Sequence, residues 1–270
     1  MTPLIKIDNF YLKREDLNIT GSAKDRAILA QIQNLKKKGF KKAVISSTGN
    51  AAISAIHFCE KNNLSLTIFL SSKINQNKLK LIKKSSANII ITSKPISLAF
   101  KYAKQNTAYF LRQSTDPTAL IGYKKIGREI ISQLPQTTSL FVPVGSGATL
   151  FGISKSLPQS IKLFAIQPAS HAPIASIFDK NFYKETKTST NSLSAKFLPL
   201  KTQLINAIKK TRGSGLVIQE KELKQAQQIL KKHQIFTSAE GSLTLAGLLK
   251  AKNKYQPEHY PVILLTGKKR

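Results

Sequence analysis

Lys24 is the first residue of this 270-residue chain with chemistry to offer. It stands in the string KREDLNITGSAKDR (13–26), just after Thr20, Gly21 and Ser22, and opens an amphipathic pattern that runs to Lys38. Turn and capping residue types directly ahead of an apolar-periodic run mark a helix start. A cation at the positive end of a helix dipole is disfavoured, and an amine held as an imine with an aldehyde escapes that conflict. Most lysines on such helices are simply solvated, so the residues that accompany Lys24 decide its reading.

Three other strings supply them. In SSTGNAA (46–52), Ser47, Thr48, Gly49 and Asn50 stand where a strand-like run meets a helical pattern. Backbone N–H groups and hydroxyls in such a place suit a carboxylate. Taken alone, the string reads as an ordinary N-cap after a tight turn. In VPVGSGATLFG (142–152), Gly145 and Gly147 let the backbone approach an anion closely, and Thr149 adds a hydroxyl at the helix start. A dinucleotide fingerprint is not met there. Leu150 takes the third glycine position, and the following strand ends in Gln167 where an acid is wanted. No G-x-x-x-x-G-K-[ST] string occurs either, which leaves a simple phosphate cradle. The last string, VILLTG, puts Thr266 at the carboxyl end of a buried strand, where open parallel sheets bind ligands.

The elements that must position these residues follow from hydrophobic periodicity. Strands are expected at 43–46, 66–70, 88–92, 109–111, 140–144, 163–166, 216–218 and 262–265. Helices are expected at 24–38, 50–62, 75–84, 96–105, 118–133, 148–157, 221–233 and 242–253. Such alternation favours α/β architecture, with parallel sheets covered by helices on both faces. Residues 170–202, rich in Ser, Thr, Asn and Lys, read as an irregular loop region over the core. The four strands between 43 and 111 suit a small sheet of their own. That predicts a smaller inserted unit over 40–124, a larger unit from 1–39 and 125–270, and a site in the cleft between them.

Composition narrows the class. The start of the sequence carries acids and lacks an apolar core, so it does not read as a signal peptide. No apolar run approaches the ~20 residues that span a bilayer. The single Cys59 cannot form an internal disulfide, and the cytoplasm is the expected location. Against 13 acidic residues stand 43 basic ones, a net charge of +30. A chain this basic can bind nucleic acid by neutralising phosphates. The lysines, however, are spread from Lys6 to Lys269, with no RNP-like aromatic motif or zinc-ligand set beside them. A solvated basic surface is the better reading, and specific nucleic-acid binding is not expected. His57 and Cys59 read as packing residues, Glu15 and Asp16 as ion-pair partners, and Glu240 as an acid suited to a helix N-terminus.

Taken together and in this order, the four strings resemble the threonine synthase branch of the fold-type II, tryptophan synthase β-like, pyridoxal-phosphate enzymes. The similarity covers Leu12 to Gly267 and includes RQSTDPTALIGYKKIGREI and FTSAEGSLTLAGLLKA. It implies two open, mostly parallel sheets, pyridoxal 5′-phosphate as cofactor, a small amino-acid substrate and a homodimer. By the same resemblance Lys24 is the Schiff-base lysine and proton shuttle, and Asn50 bonds the cofactor 3′-oxygen. Gly145, Ser146, Gly147, Ala148 and Thr149 hold its phosphate, and Thr266 faces its pyridine nitrogen. Ser47, Thr48, Gly49 and Ser114 take the substrate. The implied reaction converts O-phosphohomoserine and water to threonine and phosphate, with serine/threonine dehydratase or cysteine synthase-like chemistry as the alternative. Ala119 departs from the branch, which has an arginine there to grip the substrate phosphate, with Lys124 as a possible substitute. Ala51 replaces a hydroxyl residue, and Lys268, Lys269 and Arg270 follow Gly267 in place of another glycine.

Overall fold

The computed structural model describes all residues except 48, 73, 75, 196, 255–258 and 270. Among the described residues the ten strands are β1 (Leu4–Ile7), β2 (Phe10–Lys13), β3 (Lys42–Ser46), β4 (Ser65–Ser71), β5 (Asn88–Thr92), β6 (Tyr109–Phe110), β7 (Ser139–Pro143), β8 (Lys162–Pro168), β9 (Ser214–Ile218) and β10 (Pro261–Leu264). Nine α-helices accompany them among the described residues. They are α1 (Lys24–Lys37), α2 (Asn50–Lys61), α3 (Gln76–Lys83), α4 (Pro95–Gln105), α5 (Pro117–Gln133), α6 (Ala148–Ser154), α7 (Lys201–Lys210), α8 (Glu220–Lys232) and α9 (Ala239–Lys254).

The strands form two sheets, of order β1-β2-β10-β7-β8-β9 and β5-β4-β3-β6. Every pairing is parallel except β1 with β2. The central strands are buried on both faces, as parallel strands between helix layers must be. Along β7 the side chains alternate between two cores. Leu140 and Val142 join α5 and α6 on one face, and Phe141 joins α8 and α9 on the other. β8 and β10 alternate in the same way, with Leu163, Ala165, Val262 and Leu264 on the first face. Phe164 and Ile263 lie on the second, and Phe164 stacks on its register partner Phe141 at 4.4 Å between centroids.

The eight expected strands are all present, with ends shifted by up to two residues. The β1–β2 hairpin went unseen because each arm has four residues and its turn is Asp8-Asn9, with Asp8 at φ 49°, rather than a glycine pair. Helix α7 also went unseen, and α6 stops at Ser154 instead of 157. Helix α1 serves both sheets: Ala27 packs with α5, while Ile28, Ile32 and Leu35 pack against the four-stranded sheet. Cys59 lies in the second of these cores, where burial pushes its thiol up to about 12. No group of three or more His, Cys, Asp or Glu suited to a metal occurs among the described residues. None of the described helices is long and apolar enough to cross a membrane.

A charged network fastens β2, α1 and α5 together. Lys13, 0% exposed, donates to Glu129 (2.7 Å), to Gln133 (2.9 Å) and to the Thr2 carbonyl (2.8 Å). Arg26 reaches Glu129 at 2.6 Å and Glu15 at 2.8 Å. Glu15 and Asp16 thus make the ion pairs expected of them, Asp16 with Arg14 at 2.9 Å. Burial pushes the Glu129 carboxyl up, but Arg26 and Lys13 outweigh it and hold the group below its usual value.

Removing one partner of such a pair leaves the other buried and uncompensated, so Glu129→Gln is expected to cost about 3 kcal/mol in urea unfolding. The sign with pH follows from the lowered value. This stabilisation is complete above the unfolded carboxyl value of about 4.3 and is lost as the pH falls through the folded one. Wild-type stability should therefore fall more steeply than that of Glu129→Gln between about pH 5 and pH 3.

Candidate active site

The turn before α1 is stitched to the end of β10. The Ala23 amide donates to the Thr266 carbonyl (3.0 Å), the Lys268 amide donates to the Gly21 carbonyl (2.9 Å), and Ser22 pairs with Gly267. Gly21 has φ +82°, and the side chain of Lys268 lies where its Cβ would be. Asp25, in the first helical turn, accepts from the Thr20 amide (2.8 Å) and from the Thr20 hydroxyl. Lys24 leaves this braced turn half-buried, and its Nζ donates to the Tyr123 hydroxyl at 3.3 Å.

The other strings converge on the same place. Lys24, Ser47, Gly49, Asn50 and Thr266 line one cleft of about 950 Å³. Gly145, Ser146, Gly147 and Thr149 line it from the end of β7. A Cβ on Gly267 would stand 2.8 Å from Asn50 Nδ2, so the Asn50 amide packs directly over the strand end. The glycine turn is shaped by close approach. Gly147 has φ +88° and its Cβ would meet Leu204 at 2.1 Å, while that of Gly145 would meet the Ser192 carbonyl at 3.0 Å.

Some expected residues stand elsewhere. Ala148 is buried behind the turn and does not line the cleft. Ser114 is also outside it, and its hydroxyl accepts from Arg112 Nε at 3.3 Å. Thr48 lies outside the described residues. Ala119 is 0% exposed in the core against α1 and α6, so it does not mark an empty subsite in the cleft. Nor does Lys124 line the cleft, so it is not placed to substitute for an arginine there.

Two features were missed from sequence. Residues 189 and 191–195, within the stretch read as irregular loop, form one wall of the cleft. First-turn acids of two helices hold that wall: Glu220 accepts from the Ser189 amide at 3.0 Å, and Glu240 from the Asn191 and Ser192 amides at 2.9 and 3.1 Å. Burial pushes Glu240 up, but bonds from its own backbone amide, the Ser192 hydroxyl, the Asn191 amide and the Ser238 side chain outweigh it and keep the carboxyl below its usual value. Glu240 therefore does more than offset a helix dipole. The second feature is Tyr123, whose place in α5 gave no sign in the sequence that it reaches Lys24.

An amine and a turn with glycine at 145 and 147, facing one cleft, fit an aldehyde that carries a phosphate. The family model for pyridoxal-phosphate-dependent enzymes matches residues 1–267. The chain belongs to that family. Pyridoxal 5′-phosphate is its cofactor, and the α/β architecture with two parallel-rich sheets is the fold-type II one. Among curated proteins, the catabolic L-threonine dehydratase TdcB of Staphylococcus aureus (strain USA300) is 25% identical over 287 residues, covering 98% of this chain and 83% of that one. Among solved structures, maize serine racemase superposes with a TM-score of 0.86 at 17% identity, covering 99% of this chain and 88% of that one. The O-acetylserine-dependent cystathionine β-synthase of Helicobacter pylori gives 0.84 at 20%, covering 99% and 92%. The three relatives are a dehydratase, a racemase and a cystathionine synthase, and none of them is a threonine synthase.

The left-handed Gly147 is the sharpest test of the cradle. Alanine there adds roughly 1–2 kcal/mol of backbone strain as well as the contact with Leu204. Gly147→Ala should lower the thermal midpoint by several degrees and weaken cofactor binding at least tenfold in an absorbance titration.

Proposed function

We propose that this chain eliminates or replaces the β-substituent of a small hydroxy amino acid, with serine and threonine as the first candidates. The observation that carries the reading is the shared cleft, which is lined by Lys24, by Gly145, Ser146 and Gly147, and by Ser47, Gly49 and Asn50. When bound, the cofactor supplies an electrophilic aldehyde and a ring that takes up the electron pair left at Cα. The protein's part is positioning and proton movement.

Lys24 holds the cofactor and moves the proton at Cα. The amides of Gly145, Ser146 and Gly147 would receive the phosphate, and the close approach of Leu204 to Gly147 and of the Ser192 carbonyl to Gly145 sets the shape of that turn. Ser47, Thr48 and Gly49 would take the substrate carboxylate, Asn50 would bond the cofactor 3′-oxygen, and Thr266 would face its pyridine nitrogen. In this scheme the smaller unit, 40–124, brings the carboxylate turn, and the larger one, 1–39 and 125–270, brings the cradle. Residues 189 and 191–195 form one side of the cleft. Serine would yield pyruvate and ammonia, with atoms and oxidation state balanced.

A threonine synthase reading rests on the KDR string that begins with Lys24 and on the LTG string at 265–267. The buried position of Ala119 gives it no phosphate-gripping group there. Reconstituted protein should be yellow, and Lys24→Ala should lose the near-visible band. A substrate panel should then release keto acid from serine or threonine. Phosphate release from O-phosphohomoserine without keto acid would replace this reading with the threonine synthase one, and a protein that never turns yellow would end both.

A further inference from the structure

Tyr123 is the largest wholly buried side chain among the described residues, yet it carries a hydroxyl. A buried hydroxyl needs a partner, and here the partner is the Lys24 amine at 3.3 Å. Nζ lies 5.7 Å from the ring centroid, so the contact is a hydrogen bond at the phenol edge and not a cation over the ring face. Two glycines set this contact. At Gly122 helix α5 is pressed against α1, where a Cβ would stand 2.0 Å from the Arg26 carbonyl oxygen. At Gly152 helix α6 is pressed against α5, where a Cβ would stand 2.5 Å from Cβ of Tyr123 itself. Glycine is unfavourable in a helix interior, and each of these two sits where α5 meets a neighbour beside the tyrosine.

We propose that Tyr123 is a positioning residue for the free form of Lys24, holding its amine at a fixed point on the cleft wall whenever it is not bonded to the cofactor. The proposal rests on the reading of Lys24 given above. A lysine side chain has many rotamers, and immobilising it near its reaction partner is what orientation contributes to rate. The phenol suits this role because a hydroxyl accepts from an ammonium and donates to a neutral amine. The contact therefore survives when the nitrogen loses its proton. An apolar residue at 123 would leave the amine to swing.

The test uses four full-length proteins: wild type, Tyr123→Phe, Lys24→Ala and the double variant. Phenylalanine keeps the ring between the two glycine contacts and removes one oxygen. With pyridoxal 5′-phosphate as probe, the near-visible band should develop at least tenfold more slowly in Tyr123→Phe than in wild type. In the Lys24→Ala background the same change should leave the cofactor dissociation constant, read by quenching of tyrosine fluorescence, within twofold. A band that forms at the wild-type rate would overturn the proposal. Equal weakening of cofactor binding with and without Lys24 would overturn it too, since that marks a purely structural tyrosine. If wild type itself forms no band, the assignment of Lys24 fails first and the proposal falls with it.

Discussion

The site depends on a short antiparallel stitch between distant parts of the chain. The turn at Gly21 to Ala23 exchanges backbone hydrogen bonds with Thr266 and Lys268, and Ser238 and Thr237 bond the Gly267 carbonyl from the other side. Residues near both ends of the sequence thereby fix the position from which Lys24 projects. A left-handed turn at Gly21 makes the approach possible, because any side chain there would collide with Lys268. Without this stitch the first turn of α1 would lose its backbone tie to the end of β10.

Behind the stitch, buried charge carries the rigidity. Lys13, Glu15, Arg26 and Glu129 come from β2, the turn after it, α1 and α5, and each is satisfied by another member of the set. Asp116 does comparable work toward the small sheet, accepting from Gln31 of α1 and Tyr109 of β6 while capping α5 through Thr118. Glu15, Asp16, Asp25 and Asp179 are buried and engaged as partners inside the protein. The +30 balance is thus compatible with an enzyme whose few carboxylates are largely structural.

The wall at 189–195 shows how a segment with no regular structure gains a defined position. Most of its residues are small and polar, but Leu193 is anchored in the core shared with α8 and α9. The carboxylates of Glu220 and Glu240, at the starts of α8 and α9, bind its amides as well. Acids favoured at helix N-termini are reused here as anchors.

Much of this was legible in the sequence because it is local. Two-sided apolar runs such as FVPVG and VILLTG fixed the central strands, and the turn and capping types around Lys24, Asn50 and Ala148 fixed three helix starts within a residue. The order of four short strings was enough to indicate the family and the cofactor. What stayed hidden depends on approach between elements remote in the chain. The β1–β2 hairpin is held by its place beside β10, and Ala119 is buried by α1 and α6. Tyr123 meets Lys24 because two glycines bring three helices together. Periodicity tells which face of a helix is apolar, but not which backbone it will touch. That was decided by tertiary packing, where a missing Cβ sets the distance between elements.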